Sequence, residues 1–230
     1  SHRSAAYDAV HHEAMDLLKA VLGLDDDHVV LFIQGGASLQ FAMVPMNFIP
    51  PGGSADYVVT GSWSQKALKE AKIVASARAA ATGEPNGFTR IPGPGEYELD
   101  PAAAYVHITS NNTIKGTQFH DFPDTGEVPL VADMSSDFLW RPFDANRFHL
   151  IYAGAQKNVG PSGVTIVIVR KSWLEKANGK LPTMLRYGTF ADNESLYNTP
   201  PTFAIYMVRN VLEWVQSEGG LTAMEARNRQ

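Results

Sequence analysis

A glycine-rich loop that carries one lysine between two apolar segments constrains the fold of this chain more than any other feature. Residues 148–152 and 164–169 are apolar and rich in β-branched side chains, which is typical of strands buried inside a sheet. Three glycines in the loop between them allow tight turns and the close approach of another group. We therefore expect Lys157 to lie in a partly dry place, as a candidate amine nucleophile for an aldehyde. The alternative is an ordinary solvated lysine in a turn.

The rest of the chain alternates strand-like and helix-like segments, which predicts an α/β fold of three layers, αβα, with a mostly parallel central sheet. The predicted strands are residues 29–33, 56–60, 104–109, 128–132, 148–152 and 164–169. The predicted helices are residues 4–22, 39–47, 64–72 and 171–178, a long one from residue 198 to the Gly-Gly pair at 219–220, and one from residue 221 onward. Residues 79–95 are rich in Gly and Pro and are predicted to form a surface excursion.

Composition excludes several classes of function. A net charge of -5 gives no electrostatic reason to expect a nucleic acid or an anionic membrane as partner. The chain has no run of apolar residues long enough to span a membrane. Because it has no cysteine, it can form no disulfide, thiolate metal site or cysteine nucleophile. This composition fits a cytoplasmic enzyme of one large domain.

One group of residues suggests a metal site only superficially. His11, His12 and Glu13 are consecutive in the first predicted helix. Adjacent residues on a helix point in different directions, so they do not converge on one ion. We expect a solvated helix face here and no metal site.

Chemically distinctive residues follow the predicted strands, and in an α/β sheet the loops after parallel strands share one edge. A Gly-Gly turn before a helix can bind phosphate through free backbone N–H groups, although a plain turn with Ser38 as helix cap explains the same residues. An aromatic ring, a hydroxyl, a carboxylate and an amine follow other strands. These groups together suit pyridoxal 5′-phosphate, which needs an amine for its aldehyde and an acid for its ring nitrogen. The residues concerned are Gly35, Gly36, Trp63, Thr113, Asp133 and Lys157.

Short motifs from one end of the chain to the other resemble those of the phosphoserine aminotransferases, which are fold-type-I pyridoxal-phosphate enzymes. The most specific are Tyr-Ala-Gly-Ala-Gln-Lys-Asn-Val-Gly-Pro and Asn-Thr-Pro-Pro. The matching stretches are residues 1–4, 34–36, 40–41, 55–57, 61–63, 132–136, 152–161 and 197–203. The resemblance implies transfer of an amino group between glutamate and 3-phosphohydroxypyruvate in serine biosynthesis, and it leaves open a second role in pyridoxine biosynthesis.

The same resemblance implies roles around the cofactor ring. Lys157 would form the Schiff base with pyridoxal phosphate and then act as general base, and Asp133 would pair with the pyridine nitrogen. Trp63 would stack on the ring, and Thr113 would donate a hydrogen bond to its phenolic oxygen. Lys157 and Asp133 are thus the implied catalytic residues.

Other implied roles concern anions and a second subunit. Gln156 and the backbone at Ala37 and Ser38 would hold the cofactor phosphate. Asn198 and Thr199 would reach the phosphate of the neighbouring subunit's cofactor, which implies a homodimer; from the sequence alone, Thr199 could equally cap its own helix. His2 and Arg3 would bind the anionic substrate.

Two features depart from the family pattern. Ser38 stands where some relatives have arginine, so one anion contact is missing or comes from elsewhere. No segment matches the small C-terminal domain whose arginine binds the substrate α-carboxylate in this family. We therefore expect residues 1–230 to be the large cofactor-binding domain, an excerpt without the N-terminal segment and the small domain.

Two other classes of protein compete with this interpretation. One is a different fold-type-I pyridoxal-phosphate enzyme, such as another aminotransferase, a lyase or a cysteine desulfurase. A desulfurase needs a catalytic cysteine, which this chain lacks. The other is a non-catalytic binding module that has kept the fold, and the presence of both Lys157 and Asp133 argues against it.

Overall fold

In the computed structural model, which describes residues 1–230, a seven-stranded sheet lies between two layers of helices. The strands are β1 (His28–Ile33), β2 (Ser54–Val59), β3 (Ser76–Thr82), β4 (Val106–Thr109), β5 (Asn111–Asn112), β6 (Thr117–Gln118), β7 (Leu130–Asp133), β8 (Leu150–Gly154) and β9 (Thr165–Arg170). The helices are α1 (Ala5–Leu22), α2 (Gly36–Phe48), α3 (Ser62–Val74), α4 (Lys171–Leu174), α5 (Tyr187–Asp192), α6 (Thr202–Ser217) and α7 (Gly220–Asn228). Strands β5 and β6 form a separate hairpin.

The strand order places the carboxyl ends of most strands at one edge of the sheet. The order is β1-β9-β8-β7-β4-β2-β3, and only β9 runs against its neighbours. This confirms the predicted mostly parallel sheet. The loops that follow β1, β2, β4, β7 and β8 therefore meet at one edge, where α/β proteins bind their ligands.

Each face of the sheet has its own hydrophobic core. Helices α1, α6 and α7 cover one face, with buried residues such as Leu18 and Leu212 against Phe32 and Ile166 of the sheet. Helices α2 to α5 cover the other face, with a second buried cluster. These two cores confirm the three-layer αβα architecture, because each layer of helices buries an apolar side against the sheet.

The prediction from the sequence did not include one edge strand and one short helix. Residues 79–95 were predicted to be a surface excursion, but residues 76–82 form β3, which pairs in parallel with β2. Its sequence, Ser-Ala-Arg-Ala-Ala-Ala-Thr, is poor in the β-branched residues that favour strands, so pairing with β2 decides its structure. Helix α5 was also not predicted.

Three helix boundaries differ from the prediction. Helix α2 begins at Gly36 with Gly35 at the N-cap, so Ser38 lies in the first turn and does not cap the helix. Helix α6 begins at Thr202 with Pro201 at the N-cap, so Thr199 is not its cap either. The segment predicted as a helix from residue 171 to 178 keeps only the four residues of α4.

His11 is a buried residue, so the prediction of a solvated helix face is wrong for it. Its Nε2 atom lies 2.7 Å from the carbonyl oxygen of Glu194, and its ring meets the ring of Phe32 edge-on, with centroids 5.2 Å apart. Burial lowers the pKa of His11. No group of three or more His, Cys, Asp or Glu side chains could hold a metal ion, and no helix is long and apolar enough to cross a membrane.

Candidate active site

A cleft of about 290 Å³ opens at the sheet edge where the parallel strands end. Seven of the nine residues that the resemblance implies for cofactor binding line it, namely Ala37, Ser38, Trp63, Thr113, Asp133, Gln156 and Lys157. They come from five separate segments of the chain, and the fold brings them together as the topology predicts. The cleft is therefore the candidate active site.

The first turn of α2 offers free backbone donors to the cleft. Gly35 has φ +94°, a left-handed conformation that favours glycine, and it turns the chain sharply from β1 into the helix. The N–H groups of Gly36, Ala37 and Ser38 belong to the first helical turn, which has no intrahelical acceptors for them. No acidic side chain lies in that turn, so an anion there meets free donors and the positive end of the helix dipole.

A glycine at the end of β8 keeps this helix end close to the sheet. A Cβ atom on Gly154 would lie 3.1 Å from the backbone nitrogen of Ala37. The N–H of Gly154 donates to the Ser135 hydroxyl at 3.0 Å, which ties β8 to the loop after β7. The absence of a side chain at residue 154 thus leaves room beside the free donors of α2.

Asp133 forms a buried, acidic part of the cleft floor. It is the last residue of β7 and is 5 % exposed. Its Oδ1 atom accepts a hydrogen bond from the N–H of Ser135 at 2.9 Å. Burial raises the pKa of Asp133 to about 6, and the hydrogen bonds from Ser135 oppose that shift only in part. The carboxylate therefore lacks partners for its full charge within the chain.

The hydroxyl of Thr109, beside Asp133, lacks a hydrogen-bond partner. Thr109 pairs with Asp133 across β4 and β7, and its hydroxyl is buried without a hydrogen bond although the residue lines the cleft. A buried polar group without a partner costs free energy. The floor of the cleft is therefore built to meet polar atoms of a ligand.

Lys157 and Thr113 are in contact at the mouth of the cleft. The Nζ atom of Lys157 donates to the hydroxyl of Thr113 at 2.7 Å, and both residues are exposed. The prediction that Lys157 lies in a partly dry place is wrong for this chain, because its side chain is exposed. The amine is held beside a hydroxyl and faces the floor that Asp133 forms.

Trp63 lies in the first turn of α3 and is partly buried. It lines the cleft and also packs against the hydrophobic core on that face of the sheet. The turn before it is tied to the Thr113 hairpin, because the Asn112 amide donates to the Thr60 hydroxyl at 3.0 Å. A Cβ atom on Gly61 would lie 2.7 Å from Asn112 Oδ1, so glycine is required for this close approach.

The sequence prediction missed several polar residues of the cleft. Asn111, Ser135 and Ser136 line it, as does Ser162 in the lysine loop. Ser135 and Ser136 directly follow Asp133. Their place after a strand was the signal that could have identified them, since residues after parallel strands face this edge.

Four predicted residues lie outside the cleft of this chain. Arg3 is exposed at the start of the chain, where its Nε donates to the His2 ring at 3.3 Å. Asn198 and Thr199 are exposed in the segment before α6. None of the four is among the residues that line the cleft.

Together these groups suit one kind of ligand. The first turn of α2 can bind an anion, Asp133 can hold a cationic N–H, and the amine of Lys157 can attack a carbonyl carbon. Trp63 offers an aromatic ring on which a planar molecule can pack. The cleft is therefore suited to a planar, anionic compound that contains a basic nitrogen and an aldehyde.

The sequence matches the model of one protein family over its whole length. That family is Aminotransferase class-V, and the match covers residues 1–230. The chain is 60 % identical over 228 residues to the phosphoserine aminotransferase of Lysinibacillus sphaericus (strain C3-41), covering 99 % of this chain and 63 % of that protein. It is 57 % identical over 230 residues to the phosphoserine aminotransferase of Geobacillus kaustophilus (strain HTA426), covering 100 % of this chain and 64 % of that protein. The chain thus spans under two thirds of the length of these curated relatives.

Solved structures agree with the sequence comparison. Phosphoserine aminotransferase from Bacillus circulans subsp. alkalophilus superimposes with a TM-score of 0.97 at 57 % identity, over 100 % of this chain and 63 % of that one. A phosphoserine aminotransferase from Trichomonas vaginalis with bound PLP gives a TM-score of 0.93 at 38 % identity, over 99 % of this chain and 64 % of that one. The fold is therefore that of fold-type-I aminotransferases.

We predict that Asp133→Asn stabilises the ligand-free protein at neutral and alkaline pH. The folded-state pKa of about 6 exceeds the ordinary value of 3.8, so the folded state binds more protons than the unfolded state between these values. Stability is therefore lost as pH rises through this window, and the loss is complete above it. The variant should be more stable by on the order of 1–3 kcal/mol near pH 8 and by little near pH 4.

Urea unfolding of both proteins at the two pH values measures this difference. Asp121→Asn is the matched control, because Asp121 is exposed and its replacement should change stability at neither pH. A variant that is less stable than the wild type near pH 8 would show that Asp133 is well compensated in the folded chain.

Proposed function

The chain belongs to the aminotransferase class-V family, and we propose that it carries the pyridoxal-phosphate site of a phosphoserine aminotransferase. The observation that carries the proposal is the single cleft in which Lys157, Asp133 and Thr113 meet the free end of α2. The reaction is transfer of an amino group between glutamate and 3-phosphohydroxypyruvate. The relatives named phosphoserine aminotransferase, at 52–60 % identity, support this substrate assignment.

The residues of the cleft fit pyridoxal phosphate. The cofactor supplies an aldehyde that captures an amine and a ring that withdraws electrons from the bonds of that amine. The unpartnered hydroxyl of Thr109 and the incompletely paired carboxylate of Asp133 are the polar groups that such a ring would meet on the floor. The phosphate would bind at the other end of the cleft.

Backbone groups would hold the phosphate. The N–H groups of Ala37 and Ser38, in the first turn of α2, have no acceptor within the helix. Gln156 lines the same cleft and offers an amide donor. Ser38 contributes a hydroxyl and no charge, so the helix end supplies most of the attraction for the anion.

Asp133 would hold the proton on the ring nitrogen. A carboxylate at hydrogen-bond distance from a pyridinium stabilises the protonated ring. Because Asp133 is buried, water does not screen that attraction. Trp63, which also lines the cleft, would hold the orientation of the ring by packing on it.

Lys157 would have two tasks. Its Nζ atom would bind the cofactor covalently, and Thr113, 2.7 Å from that atom, would orient it and donate to the neighbouring ring oxygen. Lys157 is the one amine among the residues that line the cleft. When not bound to the cofactor, it would accept the proton from the substrate Cα.

Binding of the substrate and of a second subunit is part of the same proposal. Arg3, with His2 beside it, would bind the substrate anion, since a local positive charge must attract it to an acidic protein. Asn198 and Thr199 would reach the phosphate site of a second subunit in a homodimer. Their exposure, and their position outside the cleft of their own chain, support this assignment.

We predict that Lys157 is the residue that binds the cofactor. After addition of pyridoxal phosphate and reduction with borohydride, peptide mapping should find the cofactor on Lys157. Lys157→Ala should bind no reducible cofactor and should lose transamination by several orders of magnitude, as for removal of a covalent catalyst.

Lys115→Ala is the matched control, since Lys115 is an exposed lysine of the Thr113 hairpin that does not line the cleft. It should attach cofactor like the wild type. Cofactor mapped to another lysine in the wild type would refute the assignment. A colourless, unmodified wild type would refute the proposed function itself.

We predict that the active site is shared between two subunits. A mixture of Lys157→Ala with a double variant, Asn198→Ala and Thr199→Ala, forms mixed dimers in which one site carries both defects and the other carries none. Activity should return to a fraction of the wild-type value as subunits exchange, while each variant alone stays inactive.

Exchange is followed by native mass spectrometry of isotope-labelled subunits. If mixed dimers form and no activity returns, Asn198 and Thr199 act on their own chain or not at all, and the shared site is wrong.

A further inference from the structure

The turn that follows Asp133 has two attachments that the assignments above do not explain. It covers residues 134–140, directly after β7. One attachment leads to the hairpin that carries Thr113, and the other leads to the loop that carries Lys157. The two residues that touch at the mouth of the cleft are therefore both anchored on the same turn.

Asp137 attaches the turn to the hairpin beside Ser136, whose hydroxyl accepts from the Asn111 side chain at 2.8 Å and donates to the Asn111 carbonyl oxygen at 3.0 Å. The Oδ2 atom of Asp137 accepts from the Gln118 side chain at 2.9 Å, and its Oδ1 atom accepts from the hydroxyl of Ser110. Ser110 directly precedes the hairpin and Gln118 lies in its second strand. One carboxylate thus fixes both ends of the segment that presents Thr113.

The backbone of the same turn makes the attachment to the lysine loop. The amide of Asn158, next to Lys157, donates to the carbonyl oxygen of Phe138 at 2.8 Å. Leu139 is buried with φ +67°, a conformation that branched residues adopt rarely and only where packing holds them. The turn is therefore a rigid support for both attachments.

We propose that Asp137 is a positioning residue, which places Thr113 against Lys157 by joining the Thr113 hairpin to the turn that also holds the lysine loop. The role rests on the proposed function, since it concerns presentation of Lys157 to the cofactor. Asp137 does not line the cleft and touches no reacting atom. Burial raises the pKa of Asp137, and the bonds from Gln118 and Ser110 oppose that rise.

The test compares three variants with the wild type. Asp137→Ala removes both hydrogen bonds. Asp137→Asn can still accept from Gln118 and can donate to the Ser110 hydroxyl, so it removes the charge and keeps the connection. Asp56→Ala is the control for general loss of stability, because Asp56 is a buried carboxyl outside the cleft that accepts from Arg78 at 3.2 Å.

Two measurements are made on each protein. The first is the rate at which added pyridoxal phosphate attaches to Lys157, followed by visible absorbance and confirmed by borohydride mapping. The second is backbone hydrogen exchange of residues 111–119 in the cofactor-free protein. Asp137→Ala should attach cofactor about tenfold more slowly and exchange these amides about tenfold faster, the order expected when a hydrogen bond to a buried carboxylate is lost. Asp137→Asn and Asp56→Ala should match the wild type in both measurements.

The proposal would be overturned if Asp137→Ala attached the cofactor at the wild-type rate. It would also be overturned if Asp137→Asn attached the cofactor as slowly as Asp137→Ala, because the charge of residue 137 and not its hydrogen bonds would then matter. If Asp137→Ala does not fold, Gln118→Ala removes one of the two bonds and should slow attachment by a smaller factor; an unchanged rate overturns the proposal. If the wild type attaches no cofactor, the proposed function is refuted. Hydrogen exchange of residues 111–119 then tests by itself whether Asp137 holds the hairpin to the turn.

Discussion

The buried carboxyl of Asp133 is the constraint on which the rest of the cleft depends. It ends β7 with 5 % exposure, and burial raises its pKa to about 6. The chain itself offers the ionised form little more than the hydrogen bonds of Ser135. An ionised carboxylate buried there costs free energy as long as it has no cationic partner, and a protonated N–H of a ligand would stabilise it. A ligand with a basic nitrogen would therefore be favoured in the cleft.

The sheet, and a few hydrogen bonds between segments that are distant in the sequence, place the other parts of the site relative to that carboxyl. Register along β4 and β7 sets Thr109 beside Asp133. The Ser135 hydroxyl, bonded to the N–H of Gly154, brings the end of β8 beside the first turn of α2. Lys157 then faces a floor whose distance to the first turn of α2 is fixed by rigid strands. Precise placement of this kind is easier on strand ends than on long free loops.

Much of this could be predicted from the sequence. The composition of a strand is a local property of the sequence, and the rule that parallel strands end at one edge holds for α/β sheets in general. The central strands, the cleft edge and the grouping of Lys157, Asp133, Trp63 and Thr113 followed from them. What could not be predicted depends on contacts between distant residues. Strand β3 exists because it pairs with β2, although its alanine-rich sequence does not favour a strand.

Site details beyond the strand ends needed the structure for the same reason. The hydrogen bond of Asn112 to Thr60 spans 52 residues and that of Gln118 to Asp137 spans 19, and no spacing in the sequence marks either pair. The exposure of Lys157 was also unpredictable, because composition shows which strands flank a loop and does not show what covers it.

The most direct test of this account is the pKa of the Asp133 carboxyl, measured by carbon-13 NMR in protein with labelled aspartate, before and after loading with pyridoxal phosphate. Asp133→Asn identifies the resonance. The account predicts a midpoint raised to about 6 in the cofactor-free protein, and a fall to below the ordinary aspartate range once a protonated ring nitrogen faces the carboxylate. A midpoint that stays the same on loading would show that Asp133 does not meet a cationic nitrogen, and would contradict the account.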